Sequence, residues 1–106
     1  MKDSEVLRRA AVRLSKQGAW TKGAFARSES GVGVAAKAEM ATCWCAIGAI
    51  RLEAPIATFT AEKWLWRVIP KSYSTIYQWN DRPRQTQEGV VSALEAAANT
   101  AEFEGR

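Results

Sequence analysis

The chain has 106 residues, of which 47% are apolar and 25% charged, with a net charge of +4 and no histidine. That length bounds one small domain with one core, and the apolar fraction excludes the low-hydrophobicity, high-charge signature of a disordered chain. The missing histidines exclude a Cys-His catalytic dyad and deny zinc one of its two commonest ligands. No apolar run approaches the roughly 18 residues of a membrane span, because Lys37 and Glu39 interrupt the most hydrophobic region and Arg51 closes it. The opening "MKDSEVLRRAAVRL" has no apolar signal segment, so the expectation is a cytoplasmic protein with no membrane contact, in a compartment where Cys43 and Cys45 need not pair.

The charge is unevenly placed. Residues 1–27 carry Lys2, Arg8, Arg9, Arg13, Lys16, Lys22 and Arg27 against Asp3 and Glu5. A basic segment of this kind steers toward nucleic acid or an acidic protein surface, and its plainer reading is a solvated helix face. Asp3 or Ser4 is the expected cap of a first helix. Leu7, Ala10, Ala11 and Leu14 share one of its faces at i, i+3, i+4, i+7 spacing, with Arg9, Arg13 and Lys16 opposite. Gly18 ends it. The following "AWTKGAFARSESGVGV" reads as a long ordered loop anchored by Trp20 and Phe25, with a short strand as the alternative. Its "GVGV" is too short, and lacks the third glycine, for a dinucleotide site.

A second helix is expected to begin between Val34 and Ala41 and to run to Glu53, where Pro55 stops it. On a helical wheel Cys43, Ile47, Ile50 and Ala54 form one face, and Ala41, Cys45, Gly48, Ala49 and Leu52 the other. A helix apolar on both sides is buried, and Gly48-Ala49 lets another helix approach closely. In that helix Cys43 and Cys45 point about 200° apart, which argues against a disulfide between them and keeps one helix from offering both to one metal ion. Cys45 remains a candidate nucleophile if a helix N-terminus lowers its pKa. Its other reading is a buried structural thiol.

A third helix is predicted over 59–69, with Thr58 as cap and Pro70 as stop. Its core face is Ala61, Trp64, Leu65 and Val68, which turns Phe59 and Trp66 outward beside Lys63 and Arg67. An exposed large aromatic side chain calls for a cover. "SYSTIYQW" reads as a short helical turn or strand, and "WNDRPRQT" as a loop in which Trp79, Asn80, Asp81, Arg82 and Arg84 form a candidate ligand site or hold a turn. Thr86 caps a last helix whose apolar stripe is Val90, Val91, Leu94, Ala97, Ala98 and Ala101. The expected architecture is all-α: a compact single-domain bundle of four to five helices spanning residues 1–106, with a long ordered loop after the first helix.

Trp44-Cys45, Gly48-Ala49-Ile50, Trp79-Asn80-Asp81, Arg84, Thr86 and Val90 together resemble the pattern of a family of small uncharacterised proteins from actinobacteria, other bacteria and their phages. The resemblance spans Trp20 to Ala98 and implies a bacterial or phage origin, with no activity, substrate or catalytic residue attached. Three function classes follow. The first is a non-enzymatic binding or inhibitory protein docking on a host protein complex through Arg9, Arg13, Lys16, Phe59, Lys63, Trp66 and Arg67. The second is a nucleic-acid-binding protein using the basic first helix with Lys22, Arg27, Arg82 and Arg84. The third is a cysteine-dependent enzyme using Cys45. No metal or cofactor is expected, and the sequence does not give the oligomeric state.

Overall fold

The computed structural model describes residues 1–55 and 60–105. Helix α1, Asp3–Leu14, buries Leu7, Ala10, Ala11 and Leu14 along the expected stripe. Its cap differs from expectation: Lys2 occupies that position and no side chain caps it. The Asp3 carboxylate instead accepts hydrogen bonds from Thr60 Oγ1 at 2.8 Å and Trp64 Nε1 at 3.1 Å, so it joins α1 to the third helix. Gly18, at φ +76°, takes the left-handed conformation that closes the turn after α1.

The all-α expectation is overturned between residues 26 and 44. Strands β1 (Ala26–Ser28), β2 (Gly33–Val34) and β3 (Ala41–Trp44) form an antiparallel sheet in the order β2-β1-β3. Ala26 faces Val34 on one side and Trp44 on the other. The β1-β2 turn closes through Ser28 N to Val32 O at 2.9 Å, and Gly31 supplies the positive φ of 88° that the turn requires. Arg27 secures β1 by donating from its guanidinium to the Lys22 and Gly31 carbonyls. Trp44 N donates to Ala19 O, and Thr21 N to Trp44 O, which covers part of the β3 edge.

The second helix is correspondingly shorter. Helix α2 spans Ala46–Glu53, with Cys45 as its cap. Residues 41–44 look helical only because they are apolar on both sides, and a short apolar run has no period that separates a buried strand from a buried helix. The close approach predicted at Gly48 exists, but its partner is not a helix. A Cβ at Gly48 would lie 1.9 Å from the backbone oxygen of Phe25, just before β1. That same oxygen accepts from Cys45 N at 3.1 Å.

Helix α3 spans Thr60–Val68, with Ala61 and Leu65 buried. Thr58 and Phe59, the expected cap and an expected contact residue, lie outside the described residues. Helix α4, Ile76–Asp81, is capped by Thr75 Oγ1, which accepts from Gln78 N at 3.1 Å. Trp79, Asn80 and Asp81 are therefore its last turn and not a loop. Helix α5, Gln87–Glu104, begins with the predicted cap, Thr86 Oγ1 accepting from Gly89 N at 3.0 Å.

The core lies chiefly where α1 and α5 pack together, the most extensive contact between elements. Ala10, Ala11, Ala97, Ala98 and Ala101 let the two helices come close, and Leu7, Leu14 and Leu94 fill the space around them. Each such leucine contributes about 1.5–3 kcal/mol when fully buried. Helix α3 packs on α5, and α4 packs on α2 beside the sheet. No helix among the described residues is long and apolar enough to cross a membrane.

Candidate functional site

Cys45 is 4% exposed and sits at the N-terminus of α2, its sulfur accepting from Gly48 N at 3.3 Å. Burial pushes its thiol pKa up; the helix amides pull the other way with less effect, and the negative charge of Asp81 adds to the rise. A thiol held protonated is a poor nucleophile. Cys43 is half-buried on β3, and both cysteines are free. Among the described residues no group of three or more Cys, Asp and Glu could hold a metal ion.

The Trp79-Asn80-Asp81 element binds inward. Asn80 is 1% exposed, and its Oδ1 accepts from Trp20 Nε1 at 2.9 Å and from Ala46 N at 3.0 Å. Its Nδ2 donates to Thr21 O at 3.2 Å and to Asp81 Oδ1 at 2.9 Å. Asp81 Oδ1 also accepts from Gly23 N at 3.1 Å. One amide thus fastens the segment after α1, the start of α2 and the end of α4. Arg82 Nη1 donates to Tyr73 OH at 3.1 Å, and the Arg82 carbonyl accepts from Lys22 Nζ at 2.7 Å. Trp79 is buried and Arg84 is exposed.

The basic residues of α1 divide. Arg8 pairs with Glu102 and donates to Asn99 Oδ1 at 3.1 Å, so this one basic residue of α1 meets the polar face of α5 within the molecule. Arg13 pairs with Glu53 at 2.6 Å and stands over the Trp44 ring, 5.1 Å from its centroid. Arg9 and Lys16 are exposed, have no ion pair among the described residues, and flank the exposed Val12. Lys22 and Arg27 are half-buried and bonded to backbone carbonyls.

A second face is aromatic. Arg67 turns to Glu104, at 2.9 Å, and stands over Trp64. Trp66 is half-buried, with the Lys71 ammonium 4.5 Å from its ring centroid. Trp66 and Lys63 border a groove of about 380 Å³ shared with Ile47, Thr75, Ile76 and Tyr77. Tyr77, 42% exposed, also borders a larger cleft of about 560 Å³, with Phe25, Val34, Cys45 and Asp81. Phe25 and Tyr77 meet edge to face, their centroids 5.8 Å apart. The fold thus brings Trp66 and Lys63 together, sets Arg67 against α5, and leaves Arg9 and Lys16 on a separate face of α1.

Tyr77 and Phe25 were not singled out as contact residues by the sequence. The signal for Tyr77 lies in "IYQW": a helical reading buries Ile76 and Trp79, three apart, and turns Tyr77 out. Phe25 carries no comparable signal, because only the sheet sets its direction.

Residues 1–100 match the model of a family described as a family of unknown function, DUF6197. No curated protein matches the chain, and no solved structure does.

Proposed function

We propose that the chain, which belongs to the DUF6197 family, is a small non-enzymatic binding or inhibitory protein that docks on a protein complex through the aromatic face around Tyr77 and Trp66. The observation that carries this reading is the placement of Tyr77 between two adjoining hollows, one walled by Trp66 and the other by Phe25. Tyrosine and tryptophan are the side chains most often found at the energetic centres of interfaces, and apolar surface gains about 25 cal/mol per Å² when a partner covers it. The protonated, buried Cys45 disfavours the enzyme reading. The resemblance to bacterial and phage proteins makes a host complex the partner class, and a phage or prophage origin with interference in that complex is part of the same proposal.

The test is capture from the native host with the tagged full chain. Tyr77→Ala and Trp66→Ala should each reduce recovery of the co-eluting protein by about tenfold or more, while Arg9→Glu/Lys16→Glu leaves it unchanged. The opposite pattern, with nucleic acid in the eluate by its 260/280 nm absorbance ratio, would favour the second reading. That reading rests on Arg9 and Lys16, exposed and unpaired among the described residues, and predicts binding that falls steeply with salt.

A further inference from the structure

The groove beside Trp66 has an apolar floor, Ile47 and Ile76, and walls whose hydrogen-bonding groups are unbalanced. Of the five indole N–H groups, those of Trp20, Trp44 and Trp64 are each given an acceptor by the fold, and those of the buried Trp79 and the half-buried Trp66 have none among the described residues. The Trp66 indole, the Lys63 ammonium and the Tyr77 hydroxyl have no hydrogen-bond partner among the described residues. The carboxylate lining the groove, Glu62, already accepts from Arg51 Nε at 3.1 Å. Lys71, exposed, donates from its ammonium to the Trp66 carbonyl and stands over the Trp66 ring, which sets a second positive charge beside the groove.

A partner that covers unpaired donors without supplying acceptors leaves them desolvated and unbonded, which is costly. A basic segment would also meet Lys63 and Lys71 with like charge. We infer that the Trp66 groove receives a protein segment in which an apolar side chain is flanked by aspartate or glutamate. The apolar side chain rests on Ile47, Ile76 and the Trp66 ring, and a neighbouring carboxylate accepts from the indole N–H and faces Lys63 and Lys71. The inference rests on the docking reading and gives that partner its chemistry.

The probe is a random linear-peptide display library selected on the immobilised full-length chain, with affinities of the enriched peptides then measured calorimetrically. The expected winners carry Asp or Glu within two positions of a large apolar residue and shift the Trp66 indole N–H resonance. Lys63→Glu, a change at an exposed position that should leave thermal unfolding matching the parent, weakens these peptides by about tenfold or more. Trp66→Phe keeps a ring and removes the donor, for a loss of about fivefold. The inference is overturned by winners with neutral or basic flanks, by affinities indifferent to both variants, by a library that yields no binder, or by self-association of the chain that excludes the peptides. Any of these results, with host-partner capture still sensitive to Tyr77→Ala, removes the acidic-partner chemistry and leaves docking standing. Loss of that sensitivity as well removes both.

Discussion

The basic face of α1 and the aromatic face around Trp66 both look like binding surfaces in the sequence, and the fold treats them differently. On α1 the chain supplies carboxylates to two of the four arginines and lysines, Glu102 to Arg8 and Glu53 to Arg13, and leaves Arg9 and Lys16 exposed. On the aromatic face it supplies none to Lys63, and it leaves the Trp66 indole unbonded among the described residues. A local excess of charge therefore identifies a free surface poorly, because ion pairs between segments far apart in sequence can cancel it. Donors without acceptors beside apolar walls identify one better.

The comparison can be broken at the joints that hold the two faces in place. The largest effect is expected at Asn80→Ala, which leaves the half-buried Trp20 indole and the buried Ala46 amide without their acceptor. A loss of about 3 kcal/mol or more, read by chemical denaturation, should follow, and loss below 1 kcal/mol would deny Asn80 its role as the fastening. Gly48→Ala should come next, since its methyl meets the backbone of Phe25 and not a yielding side chain. About 2–3 kcal/mol and a disturbed Phe25-Tyr77 contact are the expected result, read by denaturation and by ring-proton shifts.

The contrast is sharpened by milder changes. Arg8→Ala removes an exposed pair and should cost less than about 1 kcal/mol, whereas Tyr77→Ala should leave stability nearly as it was and reduce partner capture by about tenfold or more. A large stability loss at Tyr77 would make that side chain part of the packing and not of a docking surface. The smallest effect concerns Cys45. Its folded-state pKa is raised above the ordinary 9.0, so the folded chain holds the proton more firmly than the unfolded one. Stability is thus full below about pH 9 and declines as pH rises above it. Cys45→Ala should flatten that alkaline decline in melts recorded across the range, and iodoacetamide at neutral pH should label Cys43 before Cys45.

Helices α1 and α5 were legible because each carries one uninterrupted apolar stripe. The α1 cap was not, because the Asp3 carboxylate is claimed by Thr60 and Trp64, which are distant in sequence. The sheet was hidden by its brevity: strands of three, two and four residues give alternation too little length to register. Cys43-Trp44-Cys45 then joined by composition to the helix that follows. Asn80, Asp81 and Pro83 look like a turn, yet the first two close a helix, since the bonds that justify their polarity reach back to residues 20–23 and 46. Trp66 and Lys63 could be placed on an outward helix face from spacing alone. Their junction with Tyr77 could not, because it depends on how α4 lies beside α3.

Asn80 also sets an order of events during synthesis. It joins Trp20 and Thr21 to Ala46 across sequence separations of 34 to 60 residues, and closing such loops is entropically unfavourable until the far segment is present. A nascent chain emerging from the ribosome can form α1 and the β1-β2 turn early, but the clasp that fixes them to α2 waits until residue 80 has left the exit tunnel. Chains halted before that point should remain open to proteolysis around residues 19–25, and protection of that segment should appear in a single step when the WND element emerges.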